Sequence, residues 1–131
     1  MANDKGKENV AILGASDRPD RFAYRADKLL QTHGHTTFLV NPNLKDVEGK
    51  KVCTSLKDIA QATIDTVALY VNPKILASQI KDLIALKPKR VIFNPGTEDV
   101  RLEAELKAAG IEPLRACTLV MLNTDTYDQK K

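Results

Sequence analysis

The stretch VAILGASDRPDRFAYRADKLL, Val10–Leu30, sets out a strand, a turn and a helix, and its reading decides the fold. NVAILG, residues 9–14, is a short continuous apolar run that stops on glycine, the pattern of a strand buried on both faces. RFAYRADKLLQTH follows, with Phe22, Ala26, Leu29 and Leu30 at helical spacing, and Gly34 is placed to end that helix. A dinucleotide-binding turn, G-x-G-x-x-G, would carry three glycines between strand and helix. Only Gly14 is present here; Ser16 and Pro19 occupy the other two places.

Outward from this unit the same alternation continues. TTFLV (36–40) is β-branched and apolar and stops at Asn41-Pro42. SLKDIAQA (55–62) reads as a short helix with Ser55 as its cap. DTVALYV (65–71) is a third buried strand, halted by Asn72-Pro73, where Asn72 can cap the next helix and Pro73 can occupy its first turn. That helix places Leu76, Ile80, Leu83 and Ile84 inward. RVIF (90–93) is a fourth strand, and TEDVRLEAELKAAG (97–110) a helix with Glu98 and Asp99 at its positive end and Gly110 at its exit. IEPLRA (111–116) is a last strand, at an edge because Pro113 has no amide to donate. Apolar strands interleaved with helices imply right-handed crossovers and a Rossmann-like three-layer α/β/α sandwich. The expectation is a five-stranded, mostly parallel sheet in the order 3-2-1-4-5, with the first strand at the topological switch point. Residues 9–122 would form this single domain, and 1–8 and 123–131 flexible tails.

Composition narrows the function. At 131 residues and 43% hydrophobic, the chain is long enough to bury a core without disulfides or metal. Its formal charge of +3 is too mild to argue for nucleic acid, and it suits a small anionic ligand. No apolar run approaches a membrane span, and MANDKGKE at the start has no apolar core to act as a signal peptide. A cytoplasmic protein with Cys53 and Cys117 reduced is therefore expected. The two cysteines lack C-x-x-C spacing, and His33 and His35 have no partner cluster, so no metal site is expected.

In such sheets ligands sit beyond the carboxyl ends of the strands. Those ends are Gly14-Ala15-Ser16, Asn41-Pro42, Asn72-Pro73, Asn94-Pro95-Gly96 and Cys117-Thr118. None brings a carboxylate or a histidine within two residues. They offer amides, neutral hydrogen-bonding groups and prolines, which describes a holder of an anion better than a site for acid–base chemistry. The bland alternative is that Asn-Pro pairs are ordinary turn formers. An NAD site would want an acid after the second strand, where Val40-Asn41-Pro42 stands, and an NADP site an arginine, where only Lys45 is near. An NAD(P)-binding reductase or redox sensor is thus the second reading, and an interaction module the third.

GASDRPDR in the first loop, VNP after the second strand, GKKVCTSLKDI, YVNPK after the third strand and the late Cys117 resemble one family in order and position. These segments are similar to the small bacterial and archaeal coenzyme A-binding proteins. Those are stand-alone versions of the CoA-binding domain that begins the succinyl-CoA synthetase alpha chain. The likeness runs over Asn9–Leu122. It implies that Gly14, Ala15 and Ser16 receive the coenzyme's diphosphate and that Arg21 pairs with phosphate. It also implies that Asn41, Pro42 and Lys45 flank the adenosine and its 3′-phosphate, while Val71, Asn72, Pro73 and Lys74 line the adenine or pantetheine side. Gly96 and Cys117 complete the candidate rim at the last two strand ends. The chain departs from the family after the fourth strand, where it carries NPGTE. It also lacks the separate domain with the phosphorylated histidine through which the synthetases work. The resemblance therefore implies a non-catalytic protein that binds CoA or an acyl-CoA as sensor, carrier or accessory. Neither nucleic acid nor membrane would be its partner, and a homodimer or a partner enzyme is compatible with it.

Each of these residues has a structural counterpart reading. Ser16 would cap the first helix, since capping and phosphate binding use one geometry. Arg18, Arg21 and Arg25 alternate with Asp17, Asp20 and Asp27 and could form a solvated, salt-bridged face. Tyr24 would pack, Lys45 would solvate a charged loop, and Cys53 would lie in the core. Cys117 would be buried, or would contact the ligand or pair with its thiol.

Overall fold

A computed structural model of the chain describes residues 7–59 and 63–128. Seven strands, not five, form a single sheet in the order β3-β4-β2-β1-β5-β6-β7. They are β1 (Asn9–Leu13), β2 (Thr36–Val40), β3 (Asp46–Val47), β4 (Lys50–Cys53), β5 (Thr66–Leu69), β6 (Arg90–Phe93) and β7 (Glu112–Arg115). Four α-helices connect or follow them: α1 (Phe22–Thr32), α2 (Pro73–Leu86), α3 (Val100–Ala108) and α4 (Thr118–Asn123). All strand pairs are parallel except β3 with β4.

The expected order needs correction. DTVALYV was placed beyond the second strand, but β5 pairs directly with β1, Val10 opposite Thr66 and Leu13 opposite Leu69. The place beside β2 is taken by β4, with Leu39 opposite Val52. KKVC does not announce itself as a strand because two of its four residues are lysines and Val52 is its one buried residue. The hairpin that carries it turns through Glu48 at φ +53° and Gly49 at φ +89°. Two successive positive values suit the twist of a tight β-hairpin. β1 still lies between β2 and β5, where the chain switches direction across the sheet, so a crevice opens at its carboxyl end.

Helices cover both faces. On one, Leu56, Leu76, Ile80, Leu83, Leu102 and Leu106 pack on Ala11, Leu13, Val67, Leu69, Val91 and Phe93. On the other, Ala23 and Leu30 of α1 and Met121 and Leu122 of α4 pack on Val10, Ile12, Ala68 and Ile92. The alternate residues of each central strand thus enter opposite cores, which is why these runs are apolar beyond their first residue. Asn72 Oδ1 accepts the Ile75 amide at 2.9 Å and Pro73 opens α2, as its sequence demands. Asp99 caps α3 by accepting the Leu102 amide, also at 2.9 Å. β7 is the edge strand, as Pro113 requires.

Four further expectations change. SLKDIAQA is helical over Leu56–Asp58 as a single 3-10 turn, with Ser55 N and Oγ both donating to Asp58 Oδ2, while its last three residues lie outside the described residues. Phe22 does not enter the core: it is 64% exposed, and Ala23, Ala26 and Leu30 are the buried apolar face of α1. Asp27 does not belong to a solvated face: it is buried and accepts from Thr37 Oγ1 at 2.6 Å and Gln31 Nε2 at 2.8 Å. Residues 123–128 are not a detached tail, because Tyr127 is 2% exposed and packs in the α1/α4 core.

Tyr127 belongs to a polar cluster at the amino ends of the strands. Its hydroxyl donates to Glu8 Oε1 at 3.0 Å, and its ring lies 4.9 Å from that of His35 and under the Arg90 guanidinium at 4.4 Å. Arg90 Nε donates to Thr66 Oγ1 at 2.9 Å and Nη2 to the Tyr127 carbonyl at 2.8 Å. His35 Nδ1 accepts the Glu8 amide at 3.0 Å, so the ring is neutral with its proton on Nε2. Burial holds the His35 pKa below its usual 6.5. The folded chain therefore binds fewer protons here than the unfolded one. Stability should be undiminished above about pH 7 and fall as the pH drops through 6.5, levelling off below the folded-state value. Urea denaturation at stepped pH checks this. A His35→Gln variant with the same slope between pH 7 and pH 5 would assign the loss elsewhere.

Candidate functional site

The crevice predicted from topology exists as a cleft of about 630 Å³ at the carboxyl ends of β1, β2 and β5. Gly14, Ala15, Ser16, Arg21 and Asn41 line it. Asp17, Arg18, Phe22, Ala23, Asn43, Leu44 and Tyr70 complete the wall.

Gly14 makes the turn at φ +94°, with the segment leaving β5 so close that a Cβ there would stand 2.7 Å from the Tyr70 carbonyl oxygen. Its amide and that of Ala15 both donate to the Val40 carbonyl, at 2.9 and 3.1 Å. Both are thus committed within the fold, and the first amides of the loop without a backbone acceptor are those of Ser16 and Asp17. Ser16 does not cap the helix. Its Oγ accepts the Arg18 amide at 3.0 Å, folding the loop on itself, and α1 begins six residues later at Phe22. Arg21 occupies the cap position and offers no side-chain acceptor, and no acidic residue stands in the first turn. The amides of Phe22, Ala23 and Tyr24 consequently have no hydrogen-bond partner among the described residues, leaving the positive end of α1 open.

Charge around this opening is cationic and loosely held. Arg18 pairs with Asp20 at 3.8 Å on the surface, a contact worth little. Arg21 makes no side-chain hydrogen bond or ion pair among the described residues. Arg25 stands over the Phe22 ring at 5.7 Å. Tyr24 does not line the cleft; it packs half-buried against the α1/α4 core, and its hydroxyl hydrogen-bonds to Glu48, which raises its pKa.

The strand-end asparagines hold the rim together. Asn41 Nδ2 donates to the Ala15 carbonyl at 2.7 Å, and its Oδ1 accepts the Asn43 amide at 2.7 Å, fastening the β2 loop to the β1 loop. Asn94 is buried: Nδ2 donates to the Leu69 carbonyl at 3.0 Å, and Oδ1 accepts from Thr118 N and Oγ1 at 2.8 and 3.0 Å. With Asn72 capping α2, all three Asn-Pro asparagines are used for structure.

The other candidate residues lie outside this cleft wall. Pro42 follows Asn41, and Lys45 is exposed, its carbonyl accepting the Val52 amide at 3.0 Å. Val71 packs against Gly14 and the core, and Gly96 is exposed. Pro73 and Lys74 line a different groove, between α2 and α3. Cys53 is half-buried against the core, and Cys117 is half-buried at the start of α4.

Tyr70 is the residue that sequence reasoning missed. Its hydroxyl is sealed from solvent beside Thr118 and Cys117, with no hydrogen-bond partner at ordinary distance among the described residues. Burial pushes its pKa up to about 12, so it is a neutral phenol and a spare donor. Its one sequence signal was a polar-tipped aromatic at the end of an otherwise apolar strand.

No group of three or more histidine, cysteine or acidic residues suited to a metal ion occurs among the described residues, and none of their helices is long and apolar enough to cross a membrane. Comparison with known proteins gives a consistent picture. The chain is 36% identical over 63 residues to the uncharacterized protein YneT of Bacillus subtilis, a match spanning 48% of this chain and 46% of that one. A solved structure described as an uncharacterized protein superposes with a TM-score of 0.86 at 42% identity, covering 92% of this chain and 98% of the other. A hypothetical protein from Pyrococcus horikoshii follows at 0.84 and 28%, covering 90% and 83%. The family model for the CoA binding domain matches residues 8–123, and the chain belongs to that family.

Proposed function

We propose that the protein binds coenzyme A non-catalytically, with the diphosphate at the open amino end of α1 and the nucleotide in the 630 Å³ cleft. The observation that carries this reading is the uncapped first turn of α1, faced by an arginine without an ion-pair partner. A helix start whose amides and dipole are left unanswered by the protein is an anion site. The diphosphate would meet the amides of Ser16, Asp17 and the first turn, because those of Gly14 and Ala15 serve Val40. Arg21 supplies the charge that a second glycine's closer backbone approach would otherwise make unnecessary. Leu44, Ala23 and the exposed Phe22 ring give the adenine an apolar wall.

The wall holds no histidine, no cysteine and one carboxylate, the surface residue Asp17, which supports a holder rather than an enzyme. A sensor, carrier or accessory to another enzyme is the role that fits, in the cytoplasm where CoA is used.

Arg21→Ala should weaken CoA binding by about 1.5–3 kcal/mol, the value of a charge-assisted phosphate contact, without lowering the apo melting temperature. Calorimetric titration with CoA, NAD, NADP and ATP checks both ligand and residue. Unchanged affinity in Arg21→Ala would return this arginine to the solvated face, and binding of NADP in place of CoA would overturn the reading.

A further inference from the structure

A second groove, of about 380 Å³, opens between the amino halves of α2 and α3. Ala77, Ile80 and Leu102 give it an apolar base, and Pro73 and Lys74 stand at its α2 end. We propose that it receives the acyl group of an acyl-CoA whose nucleotide half lies in the first cleft, an inference that rests on the CoA reading above.

Position makes the first argument. Tyr70 lines the first cleft and Pro73 the second, three residues further along the chain. Three residues span at most about 11 Å even when fully extended. The pantetheine arm of CoA is built of three amide-joined segments, each longer than an amino-acid residue, so it covers that distance and delivers its thiol end to the groove. The path crosses the rim at the ends of β5 and β6, the strands from which α2 and α3 start.

Chemistry makes the second. Two cations, Lys74 and Arg101, and two carboxylates, Asp99 and Glu105, border the groove and balance one another, and Asp99 is already occupied in capping α3. Nothing there selects a charged end. The buried Ile80 and Leu102 side chains at the groove's base are what an uncharged chain would cover. A volume of 380 Å³ lies at the small end of ligand pockets, which points to short straight acyl groups.

The test titrates the protein with CoA and with acetyl-, butyryl-, hexanoyl- and succinyl-CoA, then repeats the series on Ala77→Trp. Ala77 is exposed on α2, so the indole fills the groove without entering the core. For the wild type, affinity should rise about two- to fourfold per methylene from acetyl to hexanoyl, the range for a methylene partly to wholly removed from water. Succinyl-CoA should gain nothing over acetyl-CoA. In Ala77→Trp the gradient should vanish while the Kd for free CoA stays within about twofold. Should that variant unfold, Ala77→Glu makes the same test with a charge in place of bulk. Binding of CoA without a chain-length gradient, or a gradient that either folded variant leaves intact, overturns the groove assignment alone. Failure of every ligand, free CoA included, overturns the CoA reading and this one with it.

Discussion

Gly14→Ala is expected to lower the free energy of unfolding by about 2–5 kcal/mol, a large share of the 5–15 kcal/mol typical of a domain. Two costs combine. At φ +94° an L-residue carries backbone strain of about 1–2 kcal/mol. The new Cβ would also meet the Tyr70 carbonyl oxygen at 2.7 Å and Val71 Cγ1 at 2.8 Å. The carbonyl belongs to the segment that leaves β5 and cannot swing aside cheaply, which adds an overpacking cost of about 1–3 kcal/mol. Gly49→Ala separates the two. It has φ +89° with nothing within 4 Å of its Cβ, so it should show the strain alone. Urea denaturation of both variants gives the difference. A Gly14→Ala loss no greater than that of Gly49→Ala would mean that the close approach of Gly14 to Tyr70 and Val71 relaxes freely.

Arg90→Ala should cost about 3–5 kcal/mol, the penalty for removing one member of a buried ionic cluster. Arg90 is 3% exposed, and its guanidinium serves Thr66 Oγ1, the Tyr127 carbonyl and, at 3.5 Å, Glu8 Oε1. Truncation takes the cation from a carboxylate whose side chain is 10% exposed and removes a planar group from the Tyr127 ring. Arg90→Lys should recover little of the loss, because an ammonium cannot reproduce the planar fork that reaches three acceptors. Hydrogen exchange offers a second readout: amides of residues 124–127 should lose protection along with those of β6. Full stability in Arg90→Lys would show that charge alone, and not the fork, holds this pole together.

The central strands read from sequence are runs such as Val10–Leu13 and Val91–Phe93, buried on both faces and therefore unbroken by polar residues. What escaped that reading was short or mixed. β4 is two lysines followed by valine and cysteine, β3 is two residues long, and α4 is only six residues with a polar residue at each end. Missing β4 was enough to misplace β5, since strand order depends on which segment pairs with β2. The site divides in the same way. Gly14, Ser16 and Arg21 lie in one loop, where sequence spacing is spatial spacing, and all three reach the cleft. Tyr70, Asn43 and Leu44 arrive there through strand register and loop folding, which no local pattern reports. Ser16 failed as a helix cap for a local reason: its hydroxyl closes a turn with Arg18, and the helix starts later.

The Glu8–Tyr127 contact has a consequence for how this unit can be joined to others. It brings the first and last described segments side by side at the amino ends of the strands, the pole opposite the ligand cleft. A unit whose first and last described segments meet there enters and leaves through one door. It can be spliced into a longer polypeptide, or have those segments closed and reopened elsewhere, without any linker passing in front of the cleft.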